Sequence, residues 1–374
     1  MKFQGSPAPT LGVEVELQLL NARTLDLEDG ILPLLERFRD EPRVKPEFNQ
    51  CTVELNSRLC RNAAEAEADL VPLLEALKEA CGDLGMVLAG AGTHPFCQRL
   101  SAITPNPRYL FMAEKMGYLG HLLMTFAEHI HVGMPSGDEA VSVMARMKAY
   151  IPLLTALSAN SPFWQGFDTG YACYRRRVLA SMKSYGIPPS FPRWEAFADF
   201  FERTRRAHVF KTLRDIHWDL RPRPDFGTLE VRVMDVQPDL RRTFAIAAFV
   251  HALVVHVQRS LREGDELLPR QHWWFEKEND FRATLRGLEA HYILDNGERC
   301  LPIRTLIEET LARIAPIAEE LGASAHLRGI GEILQAPGYA LQKEAYAKRK
   351  DFREVAAFLV KAWEKGLRSL PARS

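Results

Sequence analysis

Three short segments of this chain set ionisable side chains two residues apart, and a fourth carries one in the same alternation. Glu14 and Glu16 lie in GVEVELQLL, Glu54 in QCTVELNS, His129 and His131 in HIHVGM, and Glu230 with Arg232 in TLEVRVMD. In an extended strand, residues i and i+2 share a face. Val13, Val15, Leu17 and Leu19 then make one apolar side, and Glu14, Glu16 and Gln18 make the other. The same alternation sets Thr52, Glu54 and Asn56 against Cys51, Val53 and Leu55. His129 and His131 oppose Ile130, Val132 and Met134, and Glu230 and Arg232 oppose Leu229, Val231 and Val233. A solvated sheet face also alternates in charge, but it carries lysine and threonine as well; these faces are dominated by glutamate, histidine and arginine. Carboxylates crowded on one concave face repel and raise one another's pKa unless cations neutralise them. Hard divalent ions with oxygen ligands do this, and Mg²⁺ recruits carboxylates together with substrate phosphates. Glu14, Glu16, Glu54 and Glu230 are therefore metal-ligand candidates, with His131 beside them. Glu47, seven residues before Glu54, joins the set only through a bulge or a strand that begins after it.

The elements that must position these residues alternate along the first two-thirds of the chain. Period-2 patterns predict strands at Gly12–Leu20, Cys51–Ser57, His129–Met134 and Thr228–Met234, with another near Met86–Ala91. Between them, a helix opens at Asn62 with Glu65 as its capping-box partner and ends at Gly82 or Gly85. Further helices are predicted at Tyr109–Ala127, Asp138–Leu157 and Trp194–Leu213. Beyond Asp239 the pattern is helical: Leu240–Leu261, Phe281–Leu294, Pro302–Leu321 and Phe352–Leu367. Gly92–Arg108 and the basic Tyr174–Pro192 read as long loops, the kind that form lids or binding arms. The strands spread over residues 12–234, so one domain spanning 1–374 is expected. Its class is α+β: a mostly antiparallel sheet cradle, helices on the opposite face and a helical C-terminal third.

Composition narrows the function. Lysine plus arginine (48) balance aspartate plus glutamate (48) among 374 residues, which argues against a surface built for nucleic acid. The six cysteines are scattered without a CxxC pair, as in a reduced cytoplasmic enzyme. The N-terminal MKFQGSPAPT has no apolar signal segment. The apolar run Thr243–Val257 is too short to span a membrane and reads as a core helix.

The segments GVEVELQL, VKPEFNQCTVELNS, GTHPF, PRY, HIHVGM, LSANSPFWQGFDTGYACYR and GTLEVRVMDVQP occur in that order. Together they resemble the type 2 glutamate–cysteine ligases, carboxylate–amine ligases related to glutamine synthetase. The likeness covers Leu11–Pro238 and continues more loosely through Glu278–Ala290 and Gly338–Gln342. It implies a glutamine-synthetase-like fold that binds ATP with Mg²⁺ or Mn²⁺. It also implies a reaction in which a carboxylate, typically the side chain of L-glutamate, is activated as an acyl phosphate. An amine, typically that of L-cysteine, then forms the amide. Small-molecule substrates and a possible homo-oligomer go with that reading. Cys173 stands where the family usually has serine, a departure that bears on acceptor preference.

Within that frame, His129 can contact nucleotide or metal, and Arg232 can neutralise the transferring phosphoryl group. Arg175 is assigned to a substrate carboxylate or the γ-phosphate, whereas Arg176 and Arg177 read as surface charges. His94 and Arg108 read as structural, and Asp168 and Thr169 as an Asx-type turn or a substrate contact. Two other functions remain open: a metal-dependent hydrolase using His-x-His, and a degenerate ligase fold that binds ligand without turnover.

Overall fold

In the computed structural model, which describes residues 1–370, seven strands form one sheet. They are β1 (Leu11–Asn21), β2 (Val44–Pro46), β3 (Thr52–Asn56), β4 (Met86–Ala89), β5 (Glu128–Gly133), β6 (Leu220–Arg223) and β7 (Thr228–Val231). Their order is β6-β7-β5-β1-β3-β2, with β4 against the end of β1, and every pairing is antiparallel. The long central strand β1 carries alternation that only one register satisfies. Val13, Val15, Leu17 and Leu19 are buried at 1% exposure or less. A slip of one residue would turn Glu14 and Glu16 into that core. Burying a valine or leucine is worth roughly 1.5–3 kcal/mol each, so the apolar side fixes where the glutamates point.

Helices cover the apolar side. The Leu240–Glu263 helix begins at Asp239, whose side chain caps Arg241 and Arg242 N–H, and ends on left-handed Gly264. It packs against β5 and the Ala63–Asp83 helix. By length and composition it and the Gly137–Ser158 stretch could each cross a membrane, which the shorter apolar run in the sequence did not suggest; both are mostly buried within the protein. One apolar cluster runs from Leu11 to Leu370 and joins the sheet to the C-terminal helices.

Several boundaries differ from the sequence-based expectation. The predicted Tyr109–Ala127 helix is Pro107–Met116 followed by a turn at Tyr118–His121, broken by Gly117 at φ +56°. Trp194–Leu213 ends at Arg206, and a 3₁₀ turn follows at Leu213–Asp215. Phe281–Leu294 is not one helix: Trp273–Arg286 stops at Gly287 (φ +56°), and His291–Leu294 is a strand paired with Arg299–Pro302. The loop predicted at Tyr174–Pro192 contains a helix, Arg175–Leu179, and a strand, Tyr185–Gly186, parallel to His217–Trp218. Asn62 caps its helix through Glu65 N–H, but the Glu65 carboxylate accepts from Arg61 N–H at 2.7 Å, so the reciprocal half of the box is absent. The predicted Thr228–Met234 strand ends at Val231; Arg232 N–H instead donates to Asp219 O at 2.8 Å.

Candidate active site

Register carries the charged faces to one place. Glu16 lies opposite Glu54, Glu14 opposite both Asn56 and His129, and Glu230 opposite both His131 and Arg221. Directly paired residues project to the same side of a sheet, so four strands share one polar wall. Gly12 lies opposite His131, leaving room on β1 beside its ring. Glu47 follows β2 and precedes β3. The strand begins after it, which lets it turn inward with Glu54.

Two trios of donor atoms result. Glu14, His131 and Glu230 form one, and Glu16, Glu47 and Glu54 the other; within each trio the atoms lie within 4.8 Å of one another. His129 stands between them. Its Nδ1 is 3.2 Å from Glu14 Oε2, and its Nε2 is 4.0 Å from Glu16 Oε1. Burial, aided by the Arg232 charge, pushes His129 down to about 4, so its ring is neutral near pH 7. With its proton on Nδ1 toward Glu14, Nε2 keeps a lone pair facing Glu16.

The trios differ in how their charge is met. Burial opposes ionisation of Glu14, yet His131 and the hydrogen bonds of both rings hold its carboxyl well below the usual range. Burial opposes ionisation of Glu230 too, but Arg221 and Arg232 overcome it. Arg221 donates to Glu230 at 2.8 and 3.0 Å, Arg223 approaches at 3.4 Å, and Arg232 also pairs with it. In the second trio Arg175 and Arg232 act on Glu16 but do not overcome its burial. Burial and the neighbouring carboxylates push Glu16 up to about 7 and raise Glu47 and Glu54 as well. Lys45 reaches only 3.9 Å from Glu54. Three oxygen donors held together without matching positive charge suit a hard divalent cation. In the first trio, Glu230 is already neutralised by arginine, so Glu14 and His131 are its more available donors.

These residues border a cavity of ≈290 Å³. Seven basic side chains line it, among them Arg108, Arg175, Arg214 and Arg232, against the four glutamates 14, 16, 47 and 54. His131 and Glu230 lie behind this wall and do not line it. Arg175 is 4% exposed and is held by Val233 O at 3.2 Å and Arg232 O at 3.3 Å. Its Nε has no partner among the described residues.

Arg176 is not a surface charge, because it is 6% exposed and forms a two-pronged pair with Asp219 at 2.7 and 3.0 Å and a third bond to Asp280 at 2.7 Å. Arg177 is half-buried and near Asp280. Cys173 faces away from the cavity, its thiol donating to Asp235 at 3.3 Å. His94 is structural, with Nε2 at Leu25 O and Nδ1 accepting from Cys97 N–H. Arg108, read as structural, does line the cavity, while also donating to Arg214 O. Asp168 makes an Asx turn with Gly170 N–H and Thr169 Oγ1 donates to Pro162 O; neither borders the cavity.

Some cavity residues were not foreseen. Arg221 and Arg223 alternate in β6, but Pro222 between them disguised the strand. Asn49 is 2% exposed, lines the cavity, and among the described residues has no partner for either side-chain polar atom. Tyr185 and His217, both lining the cavity, stack at 4.8 Å, brought together where the strand inside the supposed loop pairs in parallel with His217–Trp218.

With this geometry in place, comparison with known proteins is direct. Residues 10–362 match glutamate–cysteine ligase family 2. A protein of Trichormus variabilis named "Putative glutamate–cysteine ligase 2" is 46% identical over 367 residues, covering 97% of this chain and 95% of its own. One of the same name from Gloeobacter violaceus is 37% identical over 363 residues, covering 96% and 97%. The glutamate–cysteine ligase of Francisella tularensis, solved in complex with AMP, superposes with a TM-score of 0.68 at 14% identity, over 100% of this chain and 91% of that one. A bifunctional glutathione synthetase from Pasteurella multocida gives 0.68 at 13% identity over 96% of this chain, which spans only 53% of that protein. The α+β fold is thus that of glutamate–cysteine ligases, and by sequence over nearly its whole length this chain belongs to glutamate–cysteine ligase family 2.

Proposed function

We propose that the protein is an ATP-dependent carboxylate–amine ligase that activates the side-chain carboxylate of L-glutamate, or a similar acid, for attack by L-cysteine or another amine. The observation that carries this reading is the cavity wall, where an unneutralised glutamate trio meets a bank of arginines. A triphosphate with its divalent ions complements both halves: the cations satisfy the glutamates and the phosphate oxygens satisfy the guanidiniums. Glu16, Glu47 and Glu54 would hold one Mg²⁺ or Mn²⁺, and Glu14 with His131 and Glu230 a second. Bound there, the ions would supply charge neutralisation for the phosphates. The AMP held by the Francisella ligase of the same fold supports an adenine nucleotide here.

The chain's own residues do the rest. Arg232, fixed by Glu230, presents a charge to the transferring phosphoryl group. Arg175, its guanidinium anchored on two carbonyls, orients a carboxylate or the γ-phosphate. A carboxylate oxygen bonds to the γ-phosphorus as ADP leaves; the amine then bonds to the acyl carbon, and phosphate leaves as the amine gives up a proton. A hydrolase reading fits less well, because the two trios hold five glutamates and one histidine. ADP release, screened over pairs of acids and amines with Mg²⁺ and Mn²⁺, tests the proposal. ADP that appears only with both an acid and an amine is the expected result. Tightly held zinc and no nucleotide-dependent chemistry would sink it.

A further inference from the structure

The short Arg175–Leu179 helix separates two cavities. Arg175 lines the first, whereas Arg176 and Arg177 line a second of ≈450 Å³; Leu179 and Tyr185 belong to both. This volume is in the range of small-molecule sites. Its far wall is the Trp273–Arg286 helix, where three large aromatic side chains stand open to solvent: Trp273 is 58% exposed, Trp274 59% and Phe281 36%. The two indoles lie 5.6 Å apart, centroid to centroid.

Adjacent tryptophans kept this exposed on a cavity wall offer flat faces for stacking. The polar groups are equally specific. Arg176 is 6% exposed and its two Nη atoms are occupied by Asp219 and Asp280. Lys277 lies 4.9 Å from the Trp273 ring centroid, and among the described residues it has no carboxylate partner; the adjacent Glu278 is taken by Arg282 at 2.8 Å. The acids of this wall are thus engaged with arginine, while the exposed Lys277 retains its donors. A neutral or cationic occupant would leave those donors unanswered.

We propose that this cavity is a second small-molecule site, for a planar aromatic compound bearing a carboxylate or phosphate. The ring stacks on Trp273 and Trp274, and the acid meets Lys277. The proposal stands apart from the ligase reading, since binding here is measured without turnover.

Three probes distinguish the chemistry: phenylacetate, cyclohexylacetate with the charge but no flat ring, and phenethylamine with the ring but opposite charge. Titration calorimetry and ligand-observed NMR on the full chain, without nucleotide or metal, should show phenylacetate binding roughly fivefold or more tightly than either control. Trp274 and Lys277 are both exposed, so W274A and K277Q should fold normally and each weaken phenylacetate by roughly fivefold. No phenylacetate binding, equal binding of the three probes, or affinity unchanged in both variants would overturn the assignment.

Discussion

A buried amide with both polar atoms unpaired costs stability, roughly 1–3 kcal/mol per unsatisfied group. Asn49 is such an amide, beside Glu47 on the cavity wall, and a cost retained at a site is a mark of use by ligand. Asn49→Leu should therefore raise the free energy of urea unfolding by about 1 kcal/mol while raising one substrate's KM by roughly tenfold. Lost stability with an unchanged KM would give it a structural role instead. Glu47 makes a pH-dependent case. Its folded-state carboxyl is raised above the ordinary value of 4.5 by burial and by Glu54 and Glu16. Above that ordinary value the folded chain holds more protons than the unfolded one, so stability falls as pH rises through the folded range. Without divalent ions, Glu47→Gln should gain on wild type as pH rises above that ordinary value; a difference that does not change with pH would contradict this. Glu14 and Glu230 should separate. Glu14→Gln should lower metal-dependent ADP formation by roughly a hundredfold or more with the fold intact. Glu230→Gln leaves Arg221, Arg223 and Arg232 facing one another, and should cost roughly 3–5 kcal/mol as well. Equal melting temperatures for the two variants would refute that contrast. Glu14, Glu16, Glu54, His131 and Glu230 were legible because a period of two is visible in a line of text. Arg176 was not, because its partners Asp219 and Asp280 lie 43 and 104 residues away.

At the scale of elements, the sheet was the readable part and the connections were not. Strands β1, β3 and β5 announce themselves by alternation, and each is within two residues of its predicted bounds. Glycines decide what alternation cannot. Gly287, at φ +56°, ends a helix whose apolar pattern runs on, and frees His291–Leu294 to pair with Arg299–Pro302. Leu, Ile and Tyr at that position in sequence serve either period, so pattern alone could not choose. Gly227 has a comparable role on the side of the cavity. At φ +67° it closes the β6–β7 hairpin, and a Cβ there would stand 1.8 Å from Gln4 O. That hairpin puts Arg221 opposite Glu230 and carries Phe226 to the cavity rim. Gly227→Ala combines left-handed strain, about 1–2 kcal/mol, with a backbone clash. We expect a loss of roughly 2–4 kcal/mol in urea unfolding and weaker nucleotide-dependent activity from a displaced arginine pair. A variant as stable as wild type would show that the N-terminal segment moves aside at little cost.

Across the whole molecule, zero net charge conceals a local imbalance: acid clustered on β1, β3 and the link before β3, arginine on β6, just after β7 and on the Arg175–Leu179 helix. The apolar side of the same sheet is continuous with the C-terminal helices, where Trp363 is fully buried and lies against Gly90 just after β4. Charge relief on one face of the sheet is thus transmitted to packing on the other, because β1 belongs to both. A cation bound only by the folded state stabilises it by about 2.7 kcal/mol at a hundred times its Kd. Mg²⁺ should therefore raise a single unfolding transition as a unit. Tryptophan fluorescence, which includes Trp363 in the C-terminal helix, and far-UV circular dichroism should give one midpoint and shift together. The shift should be smaller in Glu47→Gln, where one donor and part of the repulsion are gone. Two separated midpoints, with Mg²⁺ moving only one, would mean that the sheet and the C-terminal helices unfold independently and that ion binding at the cavity stabilises the sheet alone.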